Sequence, residues 1–118
     1  MKAVTPLFFI LSYLPLIAEP LVVGSYQVQR RGFYYYLPNQ DSRFTGKAVS
    51  QYFNGQKSTE SNYKDGMQVG LWTSWHFNGQ KKEEGKYKDD KKDGLWTSWQ
   101  ENGQKKQEGN YKDGKVVD

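Results

Sequence analysis

The sequence predicts an all-β protein, a single-layer antiparallel β-meander of repeated hairpins, and three observations predict it. Gly46, Gly70 and Gly94 fall 24 residues apart, and the blocks they open, GKAVSQYFNGQKSTESNYKDGMQV, GLWTSWHFNGQKKEEGKYKDDKKD and GLWTSWQENGQKKQEGNYKDGKVVD, align without a gap. An Asn-Gly dipeptide recurs inside each block, at Asn54-Gly55, Asn78-Gly79 and Asn102-Gly103, between strand-like runs. That is the strongest short hairpin signal. Only 36% of the 118 residues are hydrophobic, and the apolar material is dominated by 4 Trp, 9 Tyr and 6 Phe. This is too little for a conventional two-layer core but enough for large rings laid on a thin scaffold. A period in this range marks one supersecondary unit stacked on itself.

The chain divides in order as follows. Residues 1–18 read as a signal peptide: after Met1-Lys2, the run from Ala3 to Ala18 carries no charge and ends at Glu19-Pro20. The run is short for a span of about 20 residues, and Pro6 and Pro15 weaken a membrane helix. Export to the periplasm, envelope or medium is therefore expected, with an uncleaved anchor as the alternative. Cleavage falls after Ala18 or near Val22-Val23-Gly24. Residues 19–45 form a leader and N-terminal capping strand, because Gly32 lies 14 residues before Gly46 and breaks the period. Within it, Phe33 to Leu37 is a leading strand and Pro38 to Ser42 a loop. Residues 46–118 hold the three repeats, 46–69, 70–93 and 94–118, the first diverged, with Ala48 and Gln51 where the later copies have Trp.

Each repeat should be two strands of about eight to ten residues, advancing about 9.6 Å, twice the strand spacing. A type I′ turn at Asn78-Gly79 sets Phe77 opposite Gln80, Trp75 opposite Lys82 and Trp72 opposite Gly85. Asp65-Gly66 and Asp113-Gly114 turn the chain at the other end, with Asp89-Asp90 in the middle copy at some backbone cost. The structural glycines are Gly46, Gly55, Gly70, Gly79, Gly85, Gly94, Gly103 and Gly109. Trp72 should cover Gly85 and Trp96 should cover Gly109, with Tyr87 and Tyr111 beside Gly70 and Gly94, an aromatic cover for bare backbone. Alternation places Leu71, Thr73, Trp75 and Phe77, then Leu95, Thr97 and Trp99, on the opposite face. Both faces are thus partly aromatic, and Trp72, Trp75, Phe77, Tyr87, Trp96, Trp99 and Tyr111 are the candidate binding residues. The chain stops where the next glycine of the series would fall, so the last strand is expected to be an edge blunted by Lys105, Lys106 and Lys112 or covered by a partner.

Several functions are excluded by residue type. There is no cysteine, hence no disulfide, thiolate zinc site or Cys nucleophile. The net charge of +4 is mild, and acids interleave with the lysine pairs, so no basic stripe tracks phosphates and no nucleic-acid partner is expected. His76 is the single histidine and is replaced by Tyr52 and Gln100 in the other copies. Glu83 and Glu84 are adjacent and point to opposite faces. Ser74 and Ser98 lie on strands without a nucleophile elbow. No enzyme activity, metal or cofactor is expected.

The run FTGKAVSQYFNGQKSTESNYKDG with its two following copies resembles the MORN repeat in its bacterial variant form, the match running from Arg31 to the C-terminus. Its G-x-W-x-x-W, N-G-Q-K-K-x-E-G and Y-K-D-G elements recur in order. The resemblance implies a MORN-type solenoid sheet with an interaction role, and such sequences are grouped with YwqK-like toxin–antitoxin antitoxins. The expected partner is a protein, bound through the aromatic face or the open edge, as an antitoxin-like module or an envelope-associated scaffold. The alternatives are a cell-wall or carbohydrate ligand, since aromatic hairpin repeats build cages for quaternary ammonium groups, and anionic-lipid binding. Membrane association would then run through the N-terminal segment or lipid headgroups.

Overall fold

The computed structural model describes residues 21–117; the expected signal peptide and its anchor alternative lie outside the described residues. Among these, the chain forms eleven strands and one 3-10 turn, Ser25–Gln27. They are β1 (Val22–Gly24), β2 (Gln29–Arg31), β3 (Tyr34–Tyr36), β4 (Gly46–Gln51), β5 (Lys57–Lys64), β6 (Met67–Gln68), β7 (Gly70–Trp75), β8 (Lys81–Lys88), β9 (Lys91–Trp99), β10 (Lys105–Lys112) and β11 (Lys115–Val117). The main sheet runs β1-β4-β5-β7-β8-β9-β10-β11, with β6 continuing the β7 line against β5. From β4 onward neighbours in sequence are neighbours in space and antiparallel, so the expected meander is present.

The two ends of each hairpin use different turns, and the type I′ expectation at Asn-Gly is corrected. Gly79 N–H donates to the His76 carbonyl at 2.9 Å and His76 N–H to the Gln80 carbonyl at 2.8 Å. Gly79 has φ +89°, while Asn78 is not among the positive-φ residues. This is a three-residue loop, a type I turn closed by a left-handed glycine. Asn78 Oδ1 fastens it by accepting from Gln80 N–H at 3.0 Å. The true type I′ turns are at the opposite end, where Asp65 and Gly66 have φ of 49° and 79°, and Asp89 and Asp90 have 48° and 69°.

The longer loop shifts the pairing near the turn: Trp75 faces Lys81, not Lys82. Lys82 is then an extra residue, a bulge that restores the expected register by Trp72 and Gly85. The same bulge falls at Ser58 and at Lys106. A second irregularity separates the hairpins. Between the pairs Glu84–Thr97 and Lys86–Asp93, β8 has Gly85 alone where β9 has Gly94, Leu95 and Trp96. Those two surplus residues carry Trp96 across the neighbouring strand.

The N-terminal leader differs from a single capping strand. β2 and β3 form their own two-stranded sheet, while β1 lies parallel along β4 and occupies that edge. The leader packs against the Asp65-Gly66 turn: Tyr35 N–H donates to the Gly66 carbonyl at 2.9 Å, and the Tyr35 and Tyr63 rings meet edge-on at 5.1 Å. Arg31 holds the following loop by donating to the carbonyls of Leu37 and Gln40. At the far end β11 pairs with β10 over Asn110–Lys112, so β10, the strand of Lys105, Lys106 and Lys112, is covered along that stretch. The core is thin: among the described residues Phe44, Ala48 and Trp96 are the buried apolar ones, with Ser61, Thr73, Ser74 and Thr97 also buried.

Candidate functional site

The seven candidate aromatic residues divide into two groups on opposite faces of the sheet. The first group is internal to the fold. Trp96 is 4% exposed and stacks on Trp72, ring centroids 5.5 Å apart at 29°. Tyr87 and Tyr111 meet its ring edge-on at 5.1 and 6.4 Å, and the Lys92 ammonium sits 4.2 Å from its centroid. Its indole N–H donates to the Lys86 carbonyl at 3.1 Å. Burial raises the Tyr87 hydroxyl above its ordinary value of 10.0, with smaller contributions from Glu83 and neighbouring groups, so the phenol stays neutral.

The expected cover of glycine by Trp is shifted by one hairpin. A Cβ on Gly85 would lie 2.1 Å from the Trp96 ring, whereas one on Gly109 would meet only a Tyr111 ring atom, at 3.4 Å. Trp72 pairs with Gly85 and Trp96 with Gly109 in register, but the ring that lies on Gly85 comes from the next hairpin. The two surplus β9 residues are the reason.

The second group stays accessible. Trp75 and Trp99 are half-buried, while Leu71, Leu95 and Phe77 are 46, 54 and 47% exposed. Leu71, Leu95, Thr97 and Trp99 line a shallow depression of about 430 Å³ with Glu84 and Lys86. Between the Trp rows run ion pairs placed by the bulges. Lys81 and Glu84, three apart, would point to opposite faces of a regular strand, but the extra Lys82 brings them together at 2.9 Å. Lys57 and Glu60 repeat the pair at 3.6 Å, and Lys105 and Glu108 make it again. For Glu60, burial acts to raise the pKa, but hydrogen bonds and charge from Lys47 and Lys57 together hold it below the usual 4.5. At the Asn-Gly end Phe53, 96% exposed, packs on Phe77 at 5.2 Å.

Sequence reasoning missed a connector that repeats with the period. Tyr52 hydroxyl donates to the Trp75 carbonyl at 2.7 Å, and His76 Nε2, as the donor in its Nε2–H tautomer, meets the Trp99 carbonyl at 2.9 Å. Tyr and His at one repeat position share the reach and the donor, which is the signal that could have found them. A groove of about 470 Å³ beside Trp72, lined with Thr59, Ser74, His76, Ser98 and Lys106, also reaches Trp99.

Two stretches of the chain, residues 68–89 and 92–113, match the MORN repeat variant family. They begin 24 residues apart and cover the second and third hairpins, so the match is narrower than one running from Arg31, and the diverged first copy lies outside it. No curated protein and no solved structure matches the chain.

Proposed function

We propose that the chain is an exported, non-catalytic repeat module that holds another protein against the Trp75–Trp99 face of its sheet. The observation that carries this is the unequal use of the two aromatic groups. Trp72, Tyr87, Trp96 and Tyr111 satisfy one another within the fold, whereas Leu71, Leu95 and Phe77 remain about half exposed. Exposed apolar side chains grouped on one face mark an interaction site, and here ion pairs run between them. Adjacent MORN variant repeats agree with a module for protein or membrane-lipid interaction.

The test is the double variant Trp75→Ala, Trp99→Ala in the full chain, used as bait against envelope extract. Loss of the proteins captured by the unaltered chain, with a cooperative melt retained, supports the reading. Recovery of the same proteins by the double variant removes that face as the site. Within this reading the finer roles are an envelope scaffold and an antitoxin. Rescue of growth on co-expression with a toxin encoded next to the gene selects the antitoxin, and its failure leaves the scaffold.

A second reading, a cell-wall or carbohydrate ligand, is favoured by the hydroxyl-lined groove beside Trp72. Retention on peptidoglycan or choline resin supports it, and clean flow-through on both removes it.

A further inference from the structure

The octapeptides of β8 and β10, KKEEGKYK and KKQEGNYK, are the same strand with two changes, Glu83 to Gln107 and Lys86 to Asn110. Like strands present like edges. The far edge of β8 carries β9, paired at Glu83–Ser98 and Glu84–Thr97, with Trp96 lying on Gly85. The far edge of β10 carries β11 along Asn110–Lys112. Among the described residues, nothing pairs with the part of that edge from Lys105 to Gly109. At the same place Gly109 lacks the ring that Gly85 has, and a slot of about 140 Å³ opens there, lined by Trp96, Ser98, Gln107, Gly109, Tyr111 and Val116. The outer edge of β10 is therefore the β8 edge with its strand and its tryptophan missing.

We propose that this edge takes up an extended strand of the G-L-W-T-S-W type from another polypeptide, the first strand of a repeat of the same kind. It would add antiparallel to Lys105–Gly109, with its Trp seated on Gly109 and against Trp96. The β8–β9 interface fixes both the pairing and the ring position, because the groups on the receiving side are the same but for Gln107 in place of Glu83. A second copy joined head to tail does not fit. Its leading strand β4 already has β1 along it, and Ala48 stands where the ring is required. This site is separate from the Trp75–Trp99 face and does not depend on it.

The probe is a fluorescein-labelled peptide of residues 94–100, GLWTSWQ, titrated into the full chain and read by anisotropy. Saturable binding is expected, unaffected by Trp75→Ala. Gly109→Ala should weaken it at least tenfold: its Cβ meets only Tyr111, at ordinary contact distance, so the chain still folds, but the methyl occupies the seat of the ring. Replacing the first Trp of the peptide by Ala should cause a loss of the same size. Absence of saturable binding, or equal binding by Gly109→Ala, overturns the proposal. So does a dimer of the free chain in which the amides of residues 105–109 become protected as concentration rises, since the edge would then belong to a second copy.

Discussion

Glu60 is a residue whose setting converts directly into a measurable. It forms ion pairs with Lys47 at 3.0 Å and with Lys57 at 3.6 Å, and the two ammonium groups hold its carboxyl below 4.5 against the opposing effect of burial. A carboxyl with a depressed folded pKa contributes stability that is present above its unfolded value and is lost as the pH falls through the folded one. Both lysines are partly exposed, so solvent screens the pair and the contribution is small, about 0.5 kcal/mol. Glu60→Gln should therefore lower the urea-derived stability by about that amount at pH 7. The difference should shrink as the pH falls below 4.5, and should also shrink in high salt at pH 7. A deficit that persists undiminished at low pH would assign the loss to packing.

Turns and bulges decide how much of each element could be read in advance. The hairpins, their period and the pairing of Trp72 with Gly85 were legible, because alternation and Asn-Gly spacing set them. The type I′ assignment went to the wrong end: Asn-Gly suits type I′ and also the three-residue loop, and the dipeptide alone does not separate them. The Lys82 bulge was hidden because it cancels the longer loop, so the distant pairs looked right. The ring cover of Gly85 was misplaced because the two surplus residues of β9 are a property of the contact between hairpins, which no single hairpin reveals. The division of the candidate rings into an internal group and an accessible one also needed that contact. Asp90 gives a test at this scale. It sits at φ 69° where its counterparts are glycine, yet its carboxylate accepts from Gln68 N–H at 2.6 Å and its own N–H donates to the Gln68 carbonyl at 3.0 Å. Gly66 and Gly114 make the same backbone link to Phe44 and Lys92 without a side chain. Loss of a charge-assisted hydrogen bond outweighs relief of a left-handed residue, so Asp90→Gly should cost about 1 kcal/mol. Asp90→Ala loses the bond and keeps the strain, and should cost about 2 kcal/mol. Glycine proving more stable than aspartate in a denaturant titration would show that strain dominates.

In a quasi-one-dimensional array, stability is the sum of each repeat and its contacts with its neighbours, so the molecule is only as cooperative as those contacts. Trp96 bridges the second and third hairpins where the strand pairing is interrupted at Gly85. Its ring stacks on Trp72, lies on Gly85, donates to the Lys86 carbonyl and meets Tyr87, all in the second repeat. The first repeat meets the second through β5 on β7, and the leader through β1 on β4 and the Asp65-Gly66 turn. Trp96→Ala should thus act as an uncoupling change. Removing a buried Trp costs about 3 to 5 kcal/mol, and that loss falls on one interface. Hydrogen exchange should show protection reduced by orders of magnitude along Lys105–Lys112 and the Leu95–Trp99 part of β9, while β4 and β5 keep theirs. Denaturant unfolding should broaden, with the lower slope expected when the ends of an array no longer melt together. The leader gives the opposite arm of the same experiment. Tyr35→Ala removes its ring contact with Tyr63, 5.1 Å away, and should loosen β2 and β3 while leaving the third hairpin protected. If Trp96→Ala instead lowers protection equally in every strand, the sheet behaves as one cooperative body and the stacking of Trp72 on Trp96 is no boundary between units.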